Sequence, residues 1–133
     1  ADKLPVIQGI PVQLNQLFAN LISNGLKFSS KDREPTIHIR CTELSQEEVK
    51  KSQQLVDNRV YYRISFHDNG IGFSQKNARQ IFDIFQRLHA KSDFEGTGIG
   101  LAMCKKIAQN HQGDIFAESV EGQGSVFHVI LPG

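Results

Sequence analysis

Apolar positions recur at helical spacing in three parts of the chain. Between residues 12 and 28, leucine, isoleucine and phenylalanine return to one face of a helix every three or four residues. The same spacing returns over residues 101–111, and a weaker version runs over residues 74–85, where Ser74 is placed to act as an N-cap. The pattern therefore predicts three helices.

Short runs of β-branched and aromatic residues predict the strands. These runs cover residues 4–8, 36–41, 61–67, 114–119 and 125–131. The glycine-rich residues 121–124 between the last two runs predict a hairpin.

Polar segments predict an exposed connection with some helix over residues 43–58 and a mobile loop over residues 91–100. Helices and strands mix without strict βαβ alternation. The predicted fold class is therefore α+β, a two-layer α/β sandwich in which a mixed sheet is covered on one face by about three helices.

Composition and charge exclude several classes of function. The 133 residues suit one domain, and fifteen basic against fourteen acidic residues, with no basic run, argue against a nucleic-acid binder. No apolar run approaches the ~18 residues of a membrane span, so we expect a cytoplasmic domain. Cys41 and Cys104 lack metal-ligand spacing and are expected to be reduced core thiols.

The first predicted helix carries a polar stripe beside its apolar one. At 100° per residue, the stripe consists of Gln13, Gln16, Asn20, Asn24 and Lys27. Asparagine offers an oxygen that can ligate Mg²⁺, and lysine offers a charge for phosphate. Because a polar helix face is usually only solvated, the stripe alone leaves both interpretations open.

A second candidate follows the strand that ends near residue 67. Asp68 can accept a hydrogen bond from an exocyclic amine such as that of adenine, and Gly70 and Gly72 let the backbone approach a flat ring. The alternative is a simple turn, since Asp, Asn and Gly are common turn formers.

A third candidate is the glycine-rich run 96–101, which opens the last helix. Converging N–H groups at a helix N-terminus favour an anionic phosphate. The run lacks the Lys-Ser/Thr ending of a P-loop, and no βαβ unit supports a dinucleotide fold. A lone glycine-rich run would be weak evidence for a phosphate site. This run is stronger evidence because it follows the other two candidate segments in the chain.

These three segments, in this order, resemble the N, G1 and G2 boxes of the histidine kinase ATPase domain, in the superfamily of DNA gyrase, the heat-shock chaperones and the mismatch-repair ATPases. The N box resembles residues 20–28, the G1 box 68–72, the F box 82–85, the G2 box 96–101 and the last glycine motif 122–127. The resemblance covers nearly the whole chain. It implies a Bergerat-type ATP-binding fold, ATP and Mg²⁺ as cofactors, and protein histidine kinase activity.

The resemblance also implies catalytic roles. Asn24 would ligate Mg²⁺, while Asn20 and Lys27 would support the phosphates. Arg87, in the predicted ATP lid over residues 74–97, would reach the terminal phosphate. A solvated surface charge is the alternative for Arg87.

Further residues would line the nucleotide pocket. Asp68 would bind the adenine amine, Ser125 would hold the base through its hydroxyl, and Lys91 is a weaker lid cation. The other expected lining residues are Phe28, Gly70, Ile71, Gly72, Phe73, Phe85, Leu88, Gly96, Thr97, Gly98, Ile99, Gly100 and Leu101.

One position separates a kinase from a hydrolase. Hydrolysing relatives carry a glutamate four residues before the metal asparagine, where it activates water as general base. This chain has Asn20 there, and an amide cannot take that proton. The substitution favours phosphoryl transfer over self-contained hydrolysis.

The phosphoacceptor is expected outside this chain, because the contexts of its five histidines do not match the acceptor motif. The resemblance implies a monomeric piece, residues 1–133, excised from a longer kinase that is either membrane-anchored or soluble. Its expected partners are the dimerisation and phosphoacceptor hairpin domain and a response regulator receiver domain. The alternative functions are a nucleotide-binding regulatory module without transferase activity and a serine-directed kinase or anti-sigma factor.

Three details refine the resemblance. Gly25 stands where the family usually has alanine, and Ile10 stands where an aspartate is common. The stretch 85–89 running into 95–98 resembles phytochrome-like and PAS-linked sensor kinases.

Overall fold

Four strands pair into one sheet beside a layer of helices in a computed structural model, which describes residues 9–27, 29–52, 55–56, 59–82 and 97–133. The helices are α1 (Pro11–Lys27), α2 (Gln46–Lys51) and α3 (Thr97–Asn110). The strands are β1 (Ile37–Glu43), β2 (Tyr61–Asp68), β3 (Asp114–Val120) and β4 (Gly124–Pro132). No helix in these ranges is long and apolar enough to cross a bilayer.

The sheet has the order β1-β2-β4-β3. Every pairing between described strands is antiparallel, so the parallel pair that a mixed sheet requires is not among them. The predicted strand over residues 4–8 lies outside the described residues. The register places Asp68, the last residue of β2, opposite Ile37 on one side and Ser125 on the other.

The main core lies between the sheet and the two long helices. Ile64 and Phe66 of β2 alternate with polar neighbours and face the helices, as do Phe127 and Val129 of β4. Leu17, Leu21, Leu101, Cys104, Ile107 and Ala108 meet them from α1 and α3. Fully burying a side chain such as Leu17 contributes about 1.5–3 kcal/mol, so this layer holds the fold together. The two-layer α+β sandwich is confirmed.

A second, smaller core corrects the prediction of an exposed connection over residues 43–58, although the helix expected within that connection is present as α2. Val49 of α2 is fully buried with Tyr61 and Ile130, which alternate with the main-core residues and so point to the opposite face of the sheet. Ser45 and Glu48 form a capping box at the start of α2. Thus α1 and α3 cover one face, and α2 packs on the other.

The predicted helix over residues 74–85 is also wrong in its described part. Two 3₁₀ turns replace it, at Gln75–Asn77 and Gln80–Phe82, and Ser74 makes no side-chain capping bond. The Gln75 side chain bonds instead to β3, accepting from Ser119 N at 2.8 Å and donating to the Ala117 carbonyl at 3.4 Å. Tertiary contacts thus override the local helical pattern.

Residues 97–100 of the predicted loop belong to α3, which begins at Thr97, while residues 91–96 lie outside the described ranges. Gly98 and Gly100 therefore belong to the first turn of the helix rather than to the segment before it.

Candidate functional site

Helices α1 and α3 pack antiparallel. At one end, Ile10 N donates to His111 Nε2 at 3.0 Å, and further along, the Cys104 thiol donates to the Leu17 carbonyl at 3.9 Å. Residue numbers therefore increase along α1 in the direction in which they decrease along α3. The C-terminal end of α1, with Asn24, therefore lies beside the N-terminal end of α3, with Gly100.

Asn20 contacts Cys104 across this helix pair. Burial raises the pKa of the Cys104 thiol to about 12, so the group is neutral, and a side-chain hydrogen bond from Asn20 opposes that rise. Because the single S–H donates to Leu17, the sulfur accepts from the amide nitrogen of Asn20. The amide oxygen of Asn20 is then the end not engaged by Cys104.

Gly25 brings α1 against the ends of β1 and β2. A Cβ added at this buried glycine would lie 3.0 Å from Ile37 Cδ1 and 3.5 Å from Asp68 Cβ. Asn24 and Asp68, which are 44 positions apart in the sequence, are therefore attached to backbone segments in close contact.

Asp68 is a partly buried carboxyl group held by backbone donors. Gly70 N donates to Asp68 Oδ1 at 2.9 Å. Burial raises the pKa of Asp68, and this effect is opposed by the N–H groups of Gly70 and Ser125 and by the neighbouring His67. The group is arranged to accept hydrogen bonds at the end of a strand.

Gly72 is needed for packing against the β3–β4 hairpin. Its φ is +69°, and a Cβ there would lie 2.3 Å from the Val120 carbonyl oxygen and 3.0 Å from that of Gly124. Gly122 N also donates to the Ile71 carbonyl at 2.7 Å. Glycine is therefore required at this position by packing inside the protein, and the expected role of Gly72 beside a flat ring stays a prediction.

Phe73 and Leu101 are core residues. Both side chains are buried in the main core, and the Phe73 and Phe127 rings lie 6.2 Å apart. They can support a pocket wall from behind. Ile71 is half-buried and Gly70 is buried.

The Ser125 hydroxyl belongs to a chain of hydrogen bonds. Ser119 Oγ accepts from Phe73 N at 2.8 Å and donates to the Gly124 carbonyl at 2.8 Å. Since its one proton is used there, the 3.0 Å contact between Ser119 Oγ and Ser125 Oγ requires Ser125 to donate. Ser125 can therefore only accept hydrogen bonds from a further group.

The first turn of α3 has open space at Gly100. A Cβ there would meet nothing within 4 Å. Free N–H groups and the helix macrodipole make such a turn favourable for an anion. For Lys27, Thr97, Gly98 and Ile99 the structure describes the backbone only, and the expected site residues outside the described ranges are Phe28, Phe85, Arg87, Leu88, Lys91 and Gly96.

A cavity of about 270 Å³ adjoins Asp68. Its lining includes Asp68, Ser119 and Ser125, together with His67 and Glu118. Asn24 and Gly100 are not among the residues that line it. Its residues His67, Glu118 and Val126 alternate with the main-core residues of their strands, so the cavity lies mainly on the sheet face opposite α1 and α3. The contact of Asp68 with the Asn24 segment is made on the helical side, through Gly25.

A preformed cluster for a metal ion is not found in the described part of the chain, where no three His, Cys, Asp or Glu side chains are suitably grouped. A Mg²⁺ ion held by one or two protein oxygens and by nucleotide phosphates needs no such cluster. The half-buried amide of Asn24 suits that arrangement.

The profile of the family described as histidine kinase-, DNA gyrase B-, and HSP90-like ATPase matches residues 9–133. The chain belongs to this family. Within it, the chain is 41% identical over 131 residues to cyanobacterial phytochrome A of Nostoc sp., covering 98% of this chain and 15% of that protein. It is 36% identical over 124 residues to the sensor protein kinase WalK of Staphylococcus saprophyticus, covering 92% of this chain and 18% of that protein.

Solved structures of histidine kinases share the fold. The mycobacterial sensor histidine kinase MprB superposes with a TM-score of 0.74 at 20% identity, covering 96% of this chain and 76% of that one. Full-length ShkA in complex with AMPPNP gives 0.71 at 22% identity, covering 97% of this chain and 23% of that one. The predicted family and fold are confirmed, and so is the predicted similarity to phytochrome-like kinases, alongside a similarity to WalK.

In this histidine kinase-like ATPase chain, two residues beside the candidate site were missed from the sequence. Ser119 links Phe73 to Gly124 and Ser125, and Cys104 holds Asn20. Each is a single small residue in a strand or helix, so its spacing carries no signal. Only the packing of distant segments reveals these contacts.

Proposed function

We propose that this chain binds Mg²⁺-ATP and donates the γ-phosphoryl group to a histidine on a separate dimerisation hairpin domain of the same kinase. The convergence of three chain segments carries the proposal. The C-terminal end of α1 lies beside the N-terminal end of α3, and Gly25 brings α1 against Asp68. An amide for the metal, a carboxylate for the base and helix N–H groups for phosphates thus occur together.

The two ends of the nucleotide have different chemical requirements. Asp68 accepts from an exocyclic amine, as adenine provides, with Ser125 as a neighbouring acceptor. The first turn of α3, around Gly98 and Gly100, would receive the phosphates, with Lys27 and Arg87 as the expected cations. Gly70, Ile71, Gly72 and the residues behind them form the wall next to the base.

Asn24 would hold Mg²⁺ through its amide oxygen. When bound, the ion neutralises the charge that develops on the transferring phosphoryl group. Asn20, whose nitrogen is engaged by Cys104, presents its oxygen without being able to take a proton from water. The site therefore preserves ATP until the acceptor arrives.

The proposed partners follow from the proposed transfer, because its acceptor is a histidine on a separate domain. The chain spans about 15% of the length of its phytochrome relatives. The whole protein would contain the phosphoacceptor hairpin domain, which also dimerises, and it would pass its phosphoryl group to a response regulator receiver domain. The chain itself would act as a monomer in the cytoplasm.

Transfer in trans tests the proposal. The chain, its kinase's own hairpin domain and Mg²⁺-ATP labelled at the γ position are mixed, and phosphohistidine on the hairpin is measured over time. We expect transfer with the unaltered chain, its loss in Asn24→Asp, and its retention in Asn15→Asp. Asn15 is exposed on the same helix, so this control makes the same chemical change away from the site.

Two results would contradict the proposal in different ways. Tight ATP binding without any transfer would identify a regulatory nucleotide-binding module. If the unaltered chain bound no measurable ATP, both the transferase function and the regulatory nucleotide-binding function would be refuted.

A further inference from the structure

Arg33, in the connection between α1 and β1, bonds to three backbone carbonyl groups. Its Nε donates to the Asn69 carbonyl at 2.8 Å. Its Nη2 donates to the carbonyls of Gly70 and Gly122, each at 2.9 Å. One exposed side chain thus joins the segment after Asp68 to the β3–β4 hairpin.

The Asn69 side chain completes the attachment from the other direction. Its Oδ1 accepts from Thr36 N at 2.9 Å, and its Nδ2 donates to the Glu34 carbonyl at 2.9 Å. Both ends of the amide are therefore used. Four hydrogen bonds, from Arg33 and Asn69 together, tie the connection before β1 to the corner after β2, and the bond from Arg33 to Gly122 adds the β3–β4 hairpin.

This corner determines how the Asp68 carboxylate is held. Gly70 N donates to Asp68 Oδ1, and the carbonyl of the same Gly70 is fixed by Arg33. On the far side, Gly122 binds Ile71 through its N–H and Arg33 through its carbonyl. The fork geometry of the guanidinium lets one residue reach all three acceptors, which the single ammonium of lysine cannot match.

We propose that Arg33 is a positioning residue for base recognition, holding the backbone of Asn69 and Gly70 so that Asp68 keeps one orientation toward an exocyclic amine. The inference rests on the proposed nucleotide site and names its selectivity. A carboxylate fixed in this way accepts from the amine of adenine and repels the keto oxygen of guanine. If the corner loosens, the carboxylate can turn, and this discrimination falls.

Nucleotide affinity tests the proposal through the ratio of ATP to GTP binding. Calorimetry is performed on the unaltered chain, Arg33→Met, Arg33→Lys and the control Arg40→Met, which removes an exposed arginine from β1. We expect ATP affinity to fall about tenfold in Arg33→Met, by the loss of bonds from a charged donor, with a much smaller change for GTP. Arg33→Lys should have a ratio of ATP to GTP affinity between those of Arg33→Met and the unaltered chain. Arg40→Met should keep the ratio of the unaltered chain.

A fall that is equal for ATP and GTP would overturn the proposal, because it would mean that Arg33 acts as a general charge for phosphates. An unchanged ATP affinity in Arg33→Met would overturn it as well. A loss of the ratio in Arg40→Met would show that removing any nearby arginine has this effect.

Amide hydrogen exchange gives a second readout that needs no nucleotide. The Gly70 N–H, which donates to Asp68, should exchange faster in Arg33→Met than in the unaltered chain. Its exchange rate should be unchanged in Arg40→Met. Equal exchange in all variants would refute the positioning role even if the unaltered chain bound no ATP. Failure of the unaltered chain to bind ATP would instead refute the proposed function.

Discussion

The amide of Asn20 on α1 donates to the thiol of Cys104 on α3, and that thiol in turn donates to the Leu17 carbonyl. The contact joins the predicted phosphate-binding helix face to the helix that begins with the glycine-rich run. It also determines which end of the Asn20 amide is not engaged by Cys104.

We expect Cys104→Ala to lower the free energy of unfolding by about 1–3 kcal/mol, because it leaves the Asn20 donor unpaired and a small cavity in the core. Chemical denaturation measures this change. Cys104→Ser keeps a donor and an acceptor, so it should retain more ATP affinity than Cys104→Ala. Equal ATP affinity in both variants would contradict the role of the thiol in orienting Asn20.

The reactivity of Cys104 gives a separate measurement. In the folded, unaltered chain, alkylation of Cys104 at pH 8 should be slow, since burial raises the pKa of its thiol to about 12.

Asp68→Asn should have opposite effects on binding and stability. The pKa of Asp68 is higher in the folded chain than in the unfolded one because of burial. Its stabilising contribution is therefore present below the unfolded value of about 3.9 and is lost as the pH rises through the raised folded value. At neutral pH the variant should have a higher Tm without nucleotide and a weaker ATP affinity by calorimetry.

The pH dependence of binding follows from the same group. In the unaltered chain, ATP affinity should fall as the pH drops through the raised pKa of Asp68, because the protonated carboxyl accepts poorly. Asp68→Asn should lack this dependence. An ATP affinity unaffected by Asp68→Asn would refute the assignment of Asp68 to the adenine amine.

Gly72→Ala should destabilise the chain by at least about 2 kcal/mol, because it adds a positive-φ penalty to a collision with the Val120 carbonyl. Gly122→Ala is the matched control. Gly122 has φ +81° but open space around its missing Cβ, so only the backbone penalty of about 1 kcal/mol applies. Urea denaturation of both variants gives the difference, and equal losses would show that the collision is relieved by movement of the hairpin.

Gly25→Ala should change stability by less than about 1 kcal/mol, in the stabilising direction, because alanine favours a helix over glycine. The new methyl group would lie 3.0 Å from Ile37 Cδ1, the mobile end of a side chain. Ile37→Val removes that end, so the double variant should show the full helical gain relative to Ile37→Val alone. A net loss in the double variant would place the steric conflict at the atoms that remain, Ile37 Cγ1 at 3.4 Å and Asp68 Cβ at 3.5 Å.

The long helices α1 and α3 and the four described strands were predictable because each depends on local spacing of residue types. Residues 74–82 were not, since the bonds of Gln75 to β3 outweigh the weak helical pattern of their own segment. The position of α2 was missed for a similar reason. Val49 is the one apolar residue of α2, and its burial depends on Tyr61 and Ile130 on the far face of the sheet, together with Leu44 and Leu55.

By itself, the sequence determined the residue types of the candidate site: the asparagines of α1, the carboxylate that ends β2 and the glycines that open α3. Their periodicity and order are local properties that survive without a fold. Only the tertiary structure decided which of them meet, through the antiparallel packing of α1 on α3, the approach of Gly25 to Asp68, and the bonds of Arg33. Contacts between segments tens of residues apart depend on shape and on paired donors and acceptors, which linear spacing does not encode.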